Sequence, residues 1–379
     1  MNTDMQQRIL YHQVKPQSEK SIYTQFDQIS FLLSVGEGRS LVPQSVRILG
    51  DVRVLASGAG DTGVRSAAAR CWDKNVGAGA LFDSVSVQTQ NQGLIENVQN
   101  YGRYLAMDSC ATLNELDMLN GENMCELKVV NELQAIQLAN GIGQTIASGT
   151  NVIRDPDFSV KPLCCLNKMD RDLPFAKSGI VTLQVNLQRD MTALFGGLQD
   201  GNSSYEIRNL RCSYKSIGDP QDKAPTNMGV VYNVKSNILS STASISANVP
   251  AVCDAVAISF IQDQHDSTPV YNSYKLENVQ GLNEVQYLFN DSTNSLIAYV
   301  IRDQSEMVER FLDSISNSSH NQVSQQKWRS NGGFALGLNF EEPVDLSNNR
   351  FTLQLGSGAN NLNLYPVNAY MYFFARAAI

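Results

Sequence analysis

The sequence predicts an all-β protein of the sandwich or jelly-roll class, and three observations lead to this prediction. Many short segments alternate apolar and polar residues, as half-buried antiparallel strands do. Turn-forming residues separate these segments at short intervals. Helical patterns are few and do not alternate regularly with the strands, so a parallel α/β sheet is not expected.

The clearest strand is IVTLQVNLQRD at 180–190. Apolar residues fill every second position from Val181 to Leu187, and Thr, Gln and Asn fill the positions between them. Successive side chains of a strand point to opposite faces, so one face is expected in the core and the other outside. The same reasoning predicts strands, in chain order, at 28–35, 45–57, 81–90, 205–217, 230–240, 254–263, 284–289, 333–340, 351–355 and 365–377.

Two of these strands carry an irregularity, and three segments have helical spacing. A bend is predicted at Gly50, and a β-bulge is predicted near Asn209, where the alternation changes phase. Helices are predicted at 94–109, 125–140 and 305–317.

The composition bounds the function classes. The 379 residues allow two or three domains, although all-β folds often form one longer unit. Charged residues make up only 17%, and neutral polar residues take their place. This pattern either suits contacts with other proteins or reflects an AT-rich genome. A net charge of −8 and the lack of any run of Lys and Arg argue against sequence-specific nucleic-acid binding.

The cysteine content predicts reduced, buried thiols in an intracellular protein. The seven cysteines have irregular spacings and include no C-x-x-C pair, and the three histidines lack ligand spacing to them, so no zinc site is expected. Adjacent Cys164 and Cys165 would point to opposite faces if they lay in a strand. The other cysteines are Cys71, Cys110, Cys125, Cys212 and Cys253.

The first 20 residues lack the continuous apolar segment of a signal peptide. A membrane span is not expected, because no apolar stretch of about 18 residues occurs. Residues 1–25 are polar and weakly patterned, and they are interpreted as an arm. The arm is either a tie to neighbouring subunits or a disordered tail.

Gly58, Gly60 and Gly63 match the spacing of a dinucleotide-binding fingerprint in DVRVLASGAGDTG at 51–63. The context does not fit, because the preceding strand alternates polar and apolar residues and the following helical stretch is short. Asp61 would stand where a pyrophosphate must approach, and Asp83 falls in the middle of the next strand. The motif is therefore interpreted as a loop joining two antiparallel strands.

No catalytic, cofactor-binding or metal-binding residue is predicted, and the protein is not expected to be an enzyme. The neighbours His265 and Asp266 could form a catalytic pair, but a solvated loop histidine is the preferred interpretation. Asp155 and Asp157 flank a proline, as at a turn before a strand.

Trp72 and Trp328 are expected to be packing anchors. No EF-hand, P-loop or H-E-x-x-H motif occurs.

Three stretches resemble a known family. Residues 77–105, GAGALFDSVSVQTQNQGLIENVQNYGRYL, are similar to the "ALI-x-SVEL…IGGQ-x-I-D…Y-x-x-W" segment of capsid proteins from large DNA viruses and virophages. Residues 158–187 resemble the family's pattern of a strand, a loop with Leu-Pro, here Leu173-Pro174, and a second strand. Residues 332–355 resemble its "FAL…P…S…F…L-x-L" ending. Together these stretches cover about a quarter of the chain.

Within this jelly-roll capsid lineage, the chain most resembles the penton, or vertex, protein of Sputnik-like virophages. The resemblance implies a single jelly roll with an inserted β-rich region and a few short helices. The expected division is an arm at 1–25, a jelly roll from 26–216 and 346–379, and an insertion at 217–345. The alternative is a compact double jelly roll, with successive barrels at 1–216 and 217–379.

The resemblance implies a structural protein of the virion, assembled in the host cytoplasm. The expected partners are four further copies in a pentameric capsomer at the five-fold vertex, and the neighbouring major capsid protein capsomers. A glycan or host-surface ligand could bind the inserted region, and no cofactor is expected.

Two alternatives remain at this point. The double jelly roll would be a major capsid protein in trimeric, pseudo-hexameric capsomers. A carbohydrate-binding β-sandwich would need surface aromatics, but Tyr370 and Tyr372 share a strand face that is expected in the core. If the vertex releases at low pH, carboxylates are the expected sensors.

Overall fold

The computed structural model describes residues 9–36, 38–55, 73, 75–112, 123–125, 157–193, 204–218, 227–238, 243–266, 271–279, 281–290, 299–315, 328, 333–356 and 367–378. Over these residues the protein is mostly β-sheet, and all the strand pairs are antiparallel. The predicted all-β class is confirmed.

The first part of the chain, here called the N-terminal unit, forms two facing sheets. One has seven strands in the order β7-β8-β4-β11-β3-β9, with β1 also paired to β11, and the other has the order β2-β10-β5-β6. The strands are β1 (Leu10–Val14), β2 (Gln28–Leu33), β3 (Arg39–Leu41), β4 (Arg47–Leu55), β5 (Phe82–Thr89), β6 (Gly93–Gln99), β7 (Asn123–Cys125), β8 (Asp157–Val160), β9 (Leu173–Pro174), β10 (Val181–Leu187) and β11 (Ser204–Gly218). The helices are α1 (Tyr101–Thr112), α2 (Cys165–Lys168), α3 (Phe175–Ser178) and α4 (Asp190–Ala193).

The rest of the chain, here called the C-terminal unit, repeats this plan on a smaller scale. Its sheets have the orders β12-β18-β14-β16 and β13-β17-β15. The elements are β12 (Asn227–Ile238), β13 (Ala243–Ala247), β14 (Val252–Gln262), β15 (Glu284–Phe289), α5 (Gln304–Ile315), β16 (Ala335–Asp345), β17 (Phe351–Gly356) and β18 (Val367–Ala378).

The last two strands pair with strands of the C-terminal unit. β17 pairs with β13 and β15. β18 pairs with β12 along its whole length and with β14 on its other side. Since these partners lie within 227–289, the terminal segment joins the strands that were expected to be an insertion. This pairing is compatible with two successive barrels.

Local irregularities follow from packing. The predicted bulge is confirmed, because the register between β4 and β11 shifts between Arg208 and Arg211, and Asn209 has a φ of 51°. Gly50 lies within β4, opposite the bulge in β11. A Cβ there would lie 3.0 Å from the ring of Phe158 and 3.1 Å from the carbonyl oxygen of Arg208, so close approach explains the glycine.

The three predicted helices have different outcomes. The segment 94–109 is split, because β6 pairs with β5 as far as Gln99 and α1 begins at Tyr101. The helix predicted at 305–317 is confirmed, since α5 forms there. The segment 125–140 lies outside the described residues beyond Cys125. In the expected arm, residues 10–14 form β1 on the edge of β11.

β18 has both faces buried, and this determines how the two units meet. Phe373 packs against Phe351 of β17, with ring centroids 5.6 Å apart, inside the C-terminal unit. On the opposite face, Tyr372 and Phe374 contact Tyr104 of α1, at centroid distances of 5.2 and 6.2 Å. The helix α1 therefore lies at the junction between the units.

Candidate functional site

At the junction, the helix α1 packs closely against the C-terminal unit. A Cβ added to Gly102 would lie 2.4 Å from the ring of Tyr274, so only glycine allows this tyrosine to approach the helix. The Tyr274 hydroxyl donates a hydrogen bond to the carbonyl oxygen of Ala80 at 3.1 Å. The Tyr372 hydroxyl donates to the carbonyl oxygen of Asn100 just before the helix.

Glu96 on β6 joins the two units through a buried carboxylate that is 3% exposed. Its Oε2 accepts a hydrogen bond from the backbone N–H of Cys165 at 2.6 Å, and its Oε1 accepts one from Val231 of β12 at 2.9 Å. Burial raises the pKa of Glu96, and these N–H groups and nearby Lys168 oppose that rise. The carboxyl thus satisfies backbone donors from both units at one point.

Asp266 forms the second polar connection. It follows β14 in the C-terminal unit, and its side chain is 8% exposed. Arg103 of α1 donates to it at 3.1 Å, the Tyr370 hydroxyl at 2.6 Å and Asn368 at 2.9 Å, and Lys235 lies 3.1 Å away. Burial alone would raise its pKa, but Arg103, the Tyr370 hydroxyl and Lys235 together lower the pKa to about 2.

His265 and Asp266 do not act as a pair. The His265 ring makes a 2.7 Å hydrogen bond through Nδ1 to Glu277, while Asp266 turns to Arg103. Glu277 also accepts the backbone N–H of Gln262 at 2.7 Å. The expected solvated loop histidine is wrong, because its side chain is only 18% exposed and is held by a buried carboxylate.

Several of the remaining sequence candidates lie outside the described part of the chain. Gly58, Gly60 and Gly63 lie outside the described residues, as do Asp61 and Asp155. The flanking strands β4 and β5 lie in different sheets, and each pairs antiparallel to its neighbours. A parallel βαβ unit, which a dinucleotide fingerprint requires, is not formed by these described strands.

Asp157 opens β8, as the turn interpretation predicted. Trp328 is buried against Phe334 at 4.6 Å, as expected of a packing anchor. Tyr370 and Tyr372 are buried as expected, so they do not form a sugar-stacking surface. Trp72 lies outside the described residues.

The cysteines whose surroundings are described are free and buried: Cys110, Cys164, Cys165, Cys212 and Cys253. Burial raises the pKa of Cys164 to about 12, so this thiol is unreactive in the folded protein. Cys164 and Cys165 do not lie in a strand, because α2 begins at Cys165. Within the described ranges, no group of three or more His, Cys, Asp and Glu could hold a metal ion.

The outer face of the sheet β2-β10-β5-β6 carries no charged side chain in the rows that cross all four strands. We call it the first neutral face. Its rows are Gln28–Asn186–Ser84–Gln99, Ser30–Gln184–Ser86–Asn97 and Leu32–Thr182–Gln88–Leu94. Leu32 and Leu94 are exposed apolar residues on it.

The corresponding smaller sheet of the C-terminal unit has a similar outer face, here called the second neutral face. Its rows are Ser244–Gln354–Gln286 and Ser246–Thr352–Leu288, of which Thr352 and Leu288 are buried. Glu284 stands at its end and is paired with Arg302 at 2.9 Å.

The outer face of the seven-stranded sheet differs, because it carries charges of both signs. Arg53 stands opposite Glu206, and Arg208 stands opposite Asp51. Arg47, Arg211 and Lys215 continue the same face. No helix among the described residues has the length and apolar character to span a membrane.

Comparisons with known proteins find similar solved structures. No protein-family model and no curated protein matches the chain. The quasi-atomic model of the PBCV-1 virus capsid aligns with a TM-score of 0.56 at 11% identity, over 97% of this chain and 93% of that chain. The cryo-EM structure of the Sputnik virophage aligns with a TM-score of 0.55 at 11% identity, over 98% and 86%.

The Faustovirus major capsid protein aligns with a TM-score of 0.54 at 8% identity, over 98% of this chain and 90% of that chain. At such identities the likeness concerns the fold. The chain therefore has the jelly-roll fold found in viral capsid proteins.

Proposed function

We propose that this chain is a structural capsid protein of an icosahedral double-stranded DNA virus, and that it acts as a double jelly-roll major capsid protein. In this proposal each chain supplies two barrels, divided near residues 216 and 217, to a trimeric capsomer with a pseudo-hexagonal outline. The observation that carries it is the sorting of the strands into two successive units of two facing sheets each.

The strand pairing favours this role over the vertex protein that the sequence resembles. A single barrel with an insertion requires the terminal strand to return to the first sheets, whereas β18 pairs with β12 and β14. Three copies of a two-barrel chain place barrels at the six corners of a ring, which closes by three-fold symmetry. The similar solved structures also support the proposal, because the Faustovirus major capsid protein matches nearly the whole chain.

The junction suits this function. A capsomer needs the two barrels of each chain at a fixed mutual position, since both must meet neighbouring barrels at once. Glu96 and Asp266 each hold groups from both units inside the protein, and α1 is packed between them. A single rigid body of two barrels therefore supplies two contact surfaces in constant orientation.

The proposed partners are further copies of this chain and the adjacent capsomers of the shell, and the proposed location is the virion after assembly in the host cytoplasm. The function is assembly rather than catalysis. A glycan or host-surface ligand remains a proposal for the region 217–345.

Native mass spectrometry of the purified protein, with negative-stain images of the same sample, tests the proposal. Trimers with a pseudo-hexagonal outline are expected. Pentameric rings would overturn the major capsid role and restore the vertex role. A monomer at every concentration would contradict both and favour a free-standing binding module.

A further inference from the structure

We propose that the two neutral faces are the surfaces through which copies of this chain contact one another. The inference rests on the proposed function and names the contact surfaces that the capsomer uses. The occupant of each neutral face is a second copy of the same chain.

The first argument is electrostatic. The chain has a net charge of −8, so carboxylates brought together at a contact between two copies would repel one another. Burying an unpaired charge between two copies would also carry a large desolvation cost. The centres of protein interfaces are accordingly depleted of charged residues. The first neutral face meets this condition across four strands, whereas the outer face of the seven-stranded sheet does not.

The second argument is chemical complementarity. Amide and hydroxyl side chains carry both donors and acceptors, so a face made of them can bind another face of the same composition. Part of the face is already ordered, because the Asn186 amide donates to the Ser84 hydroxyl at 2.7 Å. Leu94, which is 59% exposed, adds apolar area at one end of the face.

The third argument is repetition within the chain. The two units differ in size and in strand number, yet the outer face of the smaller sheet of each carries solvent-accessible Ser and Gln side chains and no charged residue in the rows that cross all its strands. In a pseudo-hexagonal capsomer the two barrels of a chain occupy equivalent positions. Equivalent positions require equivalent contact surfaces, and a repeated neutral face supplies them. A partner of another kind would not require both units to carry the same face.

The test introduces charge on the first neutral face. Q184E/N97E places two carboxylates near the middle of the face, and N97E alone, at an exposed position, is the second variant. The matched control is S159E/S213E, which adds the same charge to the outer face of the seven-stranded sheet beside Arg47. Circular dichroism and thermal melting show that each variant folds.

Oligomeric state is then measured by native mass spectrometry and sedimentation over a concentration series. For Q184E/N97E we expect the midpoint of assembly to rise by at least tenfold in concentration, with a smaller rise for N97E and no change for the control. Mixing with a lysine variant then identifies the opposing face. Q184K/N97K should restore assembly of Q184E/N97E if the first neutral face binds another first neutral face. Q286K should restore it if the first neutral face binds the second.

Two outcomes separate the inference from the proposed function. A trimeric wild type whose Q184E/N97E variant assembles normally would overturn the inference and leave the major capsid role intact. A pentameric wild type that Q184E/N97E dissociates would overturn the major capsid role and support the neutral faces as contacts between copies. A wild type that stays monomeric would overturn both.

Discussion

At the scale of single residues, the junction depends on carboxylates that are buried with their partners. Asp266 and Arg103 lie 163 positions apart in sequence, and nothing in the local pattern around either residue predicts that they meet. The same holds for Glu96, whose donors come from Cys165 and Val231. His265 and Asp266 are adjacent in sequence, but local sequence does not specify that their side chains bind different partners.

Replacing Asp266 by asparagine should strongly destabilise the protein. The substitution keeps the shape but leaves the Arg103 guanidinium buried without its counter-charge, which typically costs about 3–5 kcal/mol. Urea denaturation measures the change in the free energy of unfolding. The matched control is Asp254→Asn, since the Asp254–Arg376 pair is more exposed and should contribute less than about 1 kcal/mol. Equal effects of the two substitutions would contradict the assigned role of Asp266.

Acid should weaken the junction in a defined range. The pKa of Asp266 is lowered from 3.8 to about 2, so the unfolded state binds more protons than the folded state between these values. Its contribution to stability is therefore complete above pH 4 and is lost as the pH falls towards 2. Unfolding followed by circular dichroism from pH 5 to 2 should show a steeper loss in wild type than in Asp266→Asn. Parallel pH profiles would refute this assignment.

Asp190 should have the opposite effect. Burial raises its pKa to about 6, although the backbone N–H of Tyr205 acts against the shift. The folded state then binds more protons than the unfolded state between about pH 4 and 6, so this group makes the protein less stable as the pH rises through that range. Asp190→Asn should gain stability relative to wild type between pH 4 and 6.5 in urea melts. If the difference in unfolding free energy between Asp190→Asn and wild type does not change with pH, the raised pKa of Asp190 is contradicted.

At the scale of elements, strands with strict alternation were predictable and irregular ones were not. β10 alternates without interruption, and its burial follows the predicted faces. The helix predicted at 94–109 shows why spacing can mislead. Leu94, Val98, Tyr101 and Leu105 fit a helix, but the shift in register between Val87 and Gln88 of β5 lets the first two belong to a bulged strand. Asn100, with a φ of 50°, then separates β6 from α1.

The helix α1 provides a test of close packing at the junction. Gly102→Ala should raise intrinsic helix propensity by about 1 kcal/mol, yet we expect a net loss of about 1–3 kcal/mol, because the new methyl group overlaps Tyr274. The control is Gly229→Ala in β12, where no heavy atom lies within 4 Å of the added Cβ.

Urea melts of Gly102→Ala, Tyr274→Leu and the double variant complete a double-mutant cycle. A large favourable coupling is expected, since the smaller side chain removes the clash. Additive effects would show that Gly102 and Tyr274 do not constrain each other.

At the scale of the whole molecule, the fold class was accessible from sequence but the partner of the last strand was not. Alternation shows that 365–377 is a strand, but it does not specify which distant strands lie beside it. Packing determines the partners of this strand, because Tyr372 packs against Tyr104 of α1 and Phe373 packs against Phe351 of β17 on the opposite face of β18. A strand at a sheet edge would have left one backbone edge unpaired.

The two units should unfold together because they share the buried junction. With Trp72 replaced by phenylalanine, fluorescence reports Trp328 in the C-terminal unit, and far-ultraviolet circular dichroism reports the whole chain. In urea the two signals should coincide in this background and separate when Asp266→Asn is added. Separate transitions before that substitution would mean that the units are independent.

The position of β18 also bears on synthesis at the ribosome. Residues 367–378 are translated after both strands that flank them. The edges of β12 and β14 that pair with β18 therefore stay unpaired until β18 leaves the ribosome. A chain that stops early would keep two open strand edges, the state that most readily recruits other chains into aggregates. Incomplete translation products would therefore be prone to aggregation, since complete pairing of the C-terminal unit requires synthesis through β18.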